Sequence, residues 1–283
     1  MLCDSHCHLN FSQFEGELDK VIEQINKEPM LIINVGTCYL TSIKAIEVSR
    51  KSPFFFASIG LHPSHVNLYF KDSKEILSEK DLLPSEKFDE KFEDLLTEKK
   101  VVAVGEAGLD FKYLEIFKNE KEKSEAIERQ IEEFKKQIQK AKDFHLPLII
   151  HVRELYEKAL EILEELNFDP LESDFRGVFH FFSGSLEQAE KIVKRGFFIG
   201  FSGAITYKNK LSEVVKRVPI EKILTETDSP YALPMPYKEK EEINYPFYVK
   251  EVVLKISQIK NLSFEKTKEQ IFKNTLRFFN ITL

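Results

Sequence analysis

The stretch Ser124–His151, SEAIERQIEEFKKQIQKAKDFHLPLIIH, holds a helix and a strand in series. Ile127, Ile131, Phe134, Ile138 and Ala141 recur at helical spacing over Ser124–Phe144, with charged residues between them, the pattern of a helix that buries one face. Pro147–His151 then reads as a short apolar run of strand length that stops on a histidine. A helix followed by a buried strand is one unit of a parallel βα repeat, and the same alternation recurs on both sides of it.

Upstream, Met1–His6, Met30–Gly36, Phe54–Gly60 and Val101–Glu106 are strand candidates; downstream, Gly177–Phe181, Phe197–Gly200 and Ile223–Asp228 are. Leu155–Leu166, Leu186–Arg195 and Leu211–Val218 repeat the helical spacing between them. Eight strands alternating with helices predict a parallel sheet with right-handed crossovers, closed into a (β/α)₈ TIM barrel of α/β class. The chain of 283 residues fits one such domain spanning 1–283. From Pro246 onward two more amphipathic helices are expected to close against the barrel. Val66–Lys100 is longer than a βα connection needs and reads as one or two exposed helices broken near Pro84. Pro234–Asn244 reads as a polar loop.

A formal net charge of −6 argues against a protein that coats nucleic acid through bulk electrostatics, though not against a nuclease whose metals supply local positive charge. Three cysteines (Cys3, Cys7 and Cys38) form no regular disulfide framework, which fits a reducing cytoplasm. No signal-peptide pattern and no apolar run of membrane-spanning length is seen, so a cytoplasmic protein without membrane association is expected.

Several of the apolar runs end in His, Glu or Asp, and in a barrel the C-terminal strand ends line the mouth where chemistry occurs. Side chains alternate by two along a strand, so Asp4, His6 and His8 share one face while Cys3, Ser5 and Cys7 face the helices. The same parity brings Glu106, His151, His180 and Asp228 to the rim with His6 and His8, and puts Glu226 on that face one layer deeper. Four imidazoles and two carboxylates exceed the needs of one ion and suit two that share a carboxylate. Mixed nitrogen and oxygen ligation favours Zn, Mn, Fe or Co over an all-oxygen Mg or Ca site.

The motifs Asp4-Ser-His-Cys-His-Leu9, Gly60-Leu-His-Pro63, Val104-Gly-Glu-Ala-Gly-Leu-Asp110, Leu146–Arg153, His180-Phe-Phe-Ser-Gly-Ser185 and Glu226-Thr-Asp-Ser-Pro-Tyr231 occur in this order across most of the chain. Together they resemble the TatD-type metal-dependent deoxyribonucleases of the amidohydrolase-like barrel superfamily. The resemblance implies two divalent ions (Zn, Mn, Mg, Fe or Co), the first on His6, His8 and Asp228, the second on His151 and His180, with Glu106 bridging. It implies Asp228 as general base, Asp4 and Glu226 as supports beneath the ligands, and His62, Lys112, Tyr113 and Arg153 as substrate contacts. Asp110 and Ser183 are further candidates for supporting ligands or phosphate. The implied reaction is hydrolysis of DNA phosphodiester bonds, from the 3′ side of single-stranded ends, by a protein for which a monomer is plausible.

Two departures stand out. His180-Phe-Phe-Ser-Gly replaces the usual His-Cys-Phe-Ser-Gly, with Phe181 expected to point away from the metals. Ile243-Asn-Tyr-Pro246 replaces Arg-Asn-Glu-Pro, which puts phosphate binding or loop anchoring in question. Related barrels cleave amides, lactones, small phosphate esters or the ester of a mischarged aminoacyl-tRNA with similar ligands. Many carry Lys where Glu106 stands here, which favours the deoxyribonuclease reading. A non-catalytic, metal-stabilised binding protein would not need Asp228 beside a two-metal ligand set.

Overall fold

The computed structural model describes residues 1–66, 87–114 (the side chain of Tyr113 excepted), 117 and 119–283. Eight parallel strands pair in chain order: β1 Leu2–Cys7, β2 Met30–Val35, β3 Phe55–Ile59, β4 Val101–Asp110, β5 Leu148–Arg153, β6 Gly177–Phe179, β7 Phe198–Phe201 and β8 Ile223–Thr225. The seam between β8 and β1 is bridged by Thr225 Oγ1 donating to the Cys3 carbonyl (3.0 Å), Asp228 N to the His6 carbonyl (2.9 Å) and His8 N to the Ser229 carbonyl (2.8 Å). The result is the expected (β/α)₈ barrel.

The strands read as continuous apolar runs because both of their faces are covered. All six residues of β2 are buried, one side inside the barrel and the other under the helices. Those helices are α1 Leu18–Lys27, α2 Tyr39–Ser49, α3 Pro63–Val66, α4 Glu90–Leu96, α5 Glu120–Asp143, α6 Tyr156–Glu165, α7 Leu186–Lys194 and α8 Lys210–Arg217, followed by α9 Val249–Lys260 and α10 Phe264–Phe279. The last two pack beside the β8–β1 seam, as the tail pattern predicts. No helix among the described residues is long and apolar enough to cross a membrane.

Local chemistry sets the boundaries. α5 begins at Glu120, one turn before the expected Ser124, because the Asn119 side chain accepts from Glu122 N at 2.9 Å and caps it. α7 opens with a capping box between Ser185 and Gln188. The connection expected to be exposed helix is not wholly so: α4 buries Phe92 and Leu96, with Phe88 stacked on Phe92 at 4.5 Å and Tyr39 of α2 edge-on to it at 5.5 Å. The expected break near Pro84 lies outside the described residues.

The strand ends differ from the sequence expectation by one to four residues, and the differences in β1, β4, β6 and β8 shape the mouth. β1 runs one residue past His6, to Cys7. β4 runs on past Glu106 to Asp110, through a register shift between Val104 and Ala107. Gly105 (φ 111°) and Gly108 (φ 153°) make the shift possible, since a Cβ there would collide with the carbonyl oxygens of Ile149 and His151 respectively. β6 stops at Phe179 and β8 at Thr225, short of His180 and Asp228. Both of those residues therefore stand on turn backbone, and Asp228 adopts a left-handed φ of 55°.

Candidate metal centre

The barrel gathers His6, His8, His62, Glu106, His151, His180 and Asp228 at its C-terminal mouth. Glu106 lies at the centre and divides its two oxygens. Oε1 is 2.7 Å from His151 Nδ1 and 2.7 Å from His180 Nε2. Oε2 is 3.5 Å from His6 Nε2 and 3.8 Å from His8 Nε2. On that second side Asp228 Oδ1 stands 3.4 Å from His8 Nε2 and 3.7 Å from His6 Nε2. Around this one carboxylate, His6, His8 and Asp228 form a compact ligand group on one side, and His151 and His180 share the other oxygen; His180 also groups with His6 and Glu106, and His151 with His62 and Asp110.

Hydrogen bonds from outside the group fix which nitrogen of His8 and of His151 faces inward, whereas Nδ1 of His6 and of His180 is buried without a hydrogen-bond partner among the described residues. His8 Nδ1 lies 2.8 Å from the Val35 carbonyl, and a proton held there leaves Nε2 as a lone pair. His151 Nε2 lies 3.0 Å from Asp110 Oδ2, which directs Nδ1 at Glu106. The inward nitrogens crowd together: His6 Nε2 is 3.2 Å from His8 Nε2, and His151 Nδ1 is 3.0 Å from His180 Nε2. Imidazole lone pairs and carboxylate oxygens at such separations repel unless protons or cations lie between them. A mixed set of imidazoles and carboxylates is what a divalent transition metal takes, so these residues fit the ions that the sequence implies.

The electrostatics follow from burial and from this crowding. Burial alone would raise the Glu106 carboxyl, but the imidazoles of His62, His180 and His6 and a hydrogen bond from His151 hold it well below the usual range. His151 is opposed by burial yet raised to about 10 by its bonds to Asp110 and Glu106. Burial, with His180 beside it, lowers His6 to about 4. Burial also pushes Asp4 up to about 7 and Glu226 well above the carboxylate range, so a second carboxylate layer lies dry beneath the first.

That lower layer does structural work. Asp4 accepts from Thr227 Oγ1 (2.5 Å) and Thr227 N (2.9 Å), which fixes the backbone leading to Asp228. Glu226 accepts from Phe181 N and stands 3.8 Å from His180 Nδ1. Gly200 leaves it room, because a Cβ there would come within 2.5 Å of the Glu226 carboxylate. Both supports inferred from the sequence are therefore in contact with the loops that carry ligands.

The remaining candidates divide. His62 joins the cluster, with Nε2 3.4 Å from Glu106 Oε1. Ser64 N donates to His62 Nδ1 at 3.1 Å, which puts the proton on Nε2 and makes that atom a donor rather than a ligand. Asp110, whose role the sequence left open, is the partner of His151. Arg153 and Lys112 are exposed on the rim, and the side chain of Tyr113 lies outside the described residues. Ser183 holds Tyr156 through its backbone N–H (3.2 Å). The altered loop is anchored by Asn244, which is buried and donates to the carbonyls of Thr227 (3.0 Å) and Tyr231 (2.6 Å).

Some contributors had little or no signal in the sequence. Val35 acts through its carbonyl, and Phe11 stacks on His8 at 4.3 Å. Asn34, a polar residue within the apolar run Ile33-Asn-Val35, offered the best clue; its Oδ1 accepts from Leu9 N at 2.7 Å and holds the chain just past His8.

The family model described as "TatD related DNase" matches residues 3–280. An uncharacterized metal-dependent hydrolase of Bacillus subtilis, YabD, is 35% identical over 99% of this chain and 100% of its own length. Another of Escherichia coli K12, YcfH, is 30% identical over 99% and 96%. Among solved structures, the TatD homologue YJJV of Escherichia coli K12 superimposes with a TM-score of 0.80 at 27% identity, covering 99% of this chain and 98% of that one. The chain belongs to the TatD related DNase family.

Proposed function

We propose that this TatD-family protein, a metal-dependent hydrolase, cleaves phosphodiester bonds in DNA, removing nucleotides from the 3′ side of single-stranded ends. The observation that carries the reading is the division of Glu106: one oxygen faces His151 and His180, the other faces His6 and His8. In this reading His6, His8 and Asp228 hold one divalent ion, His151 and His180 a second, and Glu106 both. Paired divalent ions, when bound, neutralise charge on phosphoryl oxygens and make hydroxide available near neutral pH.

The chain's own residues divide the remaining work. Both Glu106 oxygens are engaged and its side chain is 6% exposed, whereas Asp228 is 16% exposed and turns one edge to solvent. Asp228 is therefore the carboxylate able to take a proton from an attacking water. His62 Nε2–H points into the cluster and is placed to donate to a phosphoryl oxygen. Asp110 keeps the His151 ring fixed, and Glu226 lies behind His180. Phe11 covers one face of His8 and keeps water from it. The 3′-oxygen leaves, so the products carry a 5′-phosphate. DNA as substrate is supported by the family and by the Glu106-centred ligand set.

The test is cleavage of end-labelled single-stranded DNA by chelator-treated protein, with each divalent metal restored in turn, beside Asp228→Asn. Metal-restored cleavage by the parent and its loss in the variant are expected, and the product ladder gives the polarity. A parent that binds metal but leaves DNA intact refutes the substrate.

A further inference from the structure

The rim around the centre carries a second feature that ligand chemistry does not use. Arg153 ends β5 two residues after His151. Lys208 follows the short turn Gly203–Thr206 beyond β7, Lys210 opens α8, and Lys238 lies in the loop after β8. All four are exposed. The folding of these segments draws them together. Lys210 Nζ reaches the Ser183 carbonyl at 3.3 Å, in the loop that follows His180. Lys238 Nζ sits 3.5 Å above the Tyr207 ring, beside Lys208. Burial, and after it the like charges of Lys210, Arg153 and Lys238, lower the Lys208 ammonium.

Some surface cations of this acidic chain find carboxylates, as in Lys135–Glu165 (2.6 Å), Arg195–Glu164 (2.8 Å) and Lys191–Glu157 (3.1 Å). Among the described residues none of these four forms an ion pair. The loop holding Lys238 contains Glu239, Glu241 and Glu242, and among the described residues none of them forms an ion pair with it. Like charges held together without a counter-charge repel one another, and a ligand that binds them must be anionic. Two large aromatic rings are exposed near the mouth as well: Phe111, directly after β4, and Tyr231, three residues after Asp228. Tyr231 is held by Gln13 Nε2 at its hydroxyl (3.4 Å) and by Phe11 edge-on (6.4 Å). Cations tracking a backbone, with rings on which bases stack, are the features that bind single strands without reading sequence.

We propose that Arg153, Lys208, Lys210 and Lys238 form a cationic ledge that carries the phosphates of a single strand next to the scissile bond. The substrate is then a polyanion of several nucleotides rather than an isolated ester. This rests on the deoxyribonuclease reading and specifies its substrate class. The ledge acts on binding, while the metal ligands act on the bond.

The experiment compares metal-loaded parent with Lys208→Gln/Lys210→Gln/Lys238→Gln on two substrates, a single-stranded ten-nucleotide DNA and bis(4-nitrophenyl) phosphate, over a range of salt concentrations. For the oligonucleotide, KM should rise roughly tenfold at low salt with kcat little changed. The slope of log(kcat/KM) against log[salt] should become shallower by about 2, at about 0.7 for each phosphate of a single strand that the ledge no longer neutralises. Hydrolysis of the small diester should stay at the parent rate. An unchanged salt slope, or an equal loss on both substrates, would overturn the ledge while leaving the nuclease reading intact. Failure of the parent to cut the oligonucleotide while it hydrolyses the diester would overturn both.

Discussion

Two parts of this barrel are equally buried and chemically opposite. Toward the strand starts the interior is apolar: Ile32 and Phe55, paired across β2 and β3 on the face that Asp4 shares, are each 0% exposed. At the other end His6 and Asp4 are also 0% exposed, Glu226 is 1% and Glu106 is 4%. Apolar burial stabilises the lower part, at about 25 cal/mol per Å² removed from water. The same burial opposes the upper part, where each ionised group must be compensated by partners. The difference shows which end was shaped for folding and which for chemistry: a polar layer this dry persists because its groups answer one another around positions that a cation fits.

The largest break in that contrast is expected from Glu106→Gln. The variant loses the one carboxylate that both ligand groups share. Hydrolysis should fall by on the order of 10³-fold or more, because several kcal/mol of charge stabilisation depend on the ions. Circular dichroism should show the fold retained. Metal-restored activity near the parent level would mean that the two groups do not work through a shared ligand.

Phe55→Ala tests the lower half. It should cost about 3–5 kcal/mol of stability, as removal of a large buried ring does, read as a lower denaturation midpoint. The folded fraction should keep its kcat. A loss of kcat in that fraction would show that the two ends are not separable.

Asp110→Ala probes the border between them. Without a partner for Nε2, the His151 ring is no longer held with Nδ1 inward, and metal affinity or activity should drop about 10–100-fold. Calorimetric titration with the metal provides the readout, and an unchanged affinity would make Asp110 a bystander.

The smallest effect is expected at the seam. Thr227→Val removes the hydroxyl that donates to Asp4 at 2.5 Å. About 1–3 kcal/mol of stability should be lost, the range for leaving a buried polar group without its partner. A variant as stable as the parent in chemical denaturation would place the closure of the barrel entirely in the backbone bonds between β1 and the segment after β8.

The sequence revealed the lower barrel well, since strands covered on both faces read as apolar runs and the helices between them keep their 3.6-residue spacing. The residues that gather at the mouth were also legible, through motifs that stand at or near strand ends. Parity was the weaker part of the reasoning. It accounts for His6, Glu106 and His151, which lie within strands. His180 and Asp228 reach the cluster from turns beyond β6 and β8, and no alternation rule covers a residue at a φ of 55°. Asp110 was underestimated because Gly105 and Gly108 let β4 continue through an irregular register, a feature of backbone approach and not of hydrophobic pattern. The proposed ledge was hidden for a different reason: Arg153, the pair Lys208 and Lys210, and Lys238 come from three segments far apart in the sequence. Tyr113, a substrate candidate from the family motif, has its side chain outside the described residues.

The central claim is that the mouth holds two divalent ions on ligand groups joined by Glu106. Isothermal titration of chelator-stripped protein with Mn²⁺ or Zn²⁺, beside His151→Asn, tests it most directly. The account predicts two equivalents for the parent and one for the variant, whose His6, His8 and Asp228 group is left whole. A parent that saturates at one equivalent, or a variant that still takes up two, would contradict it.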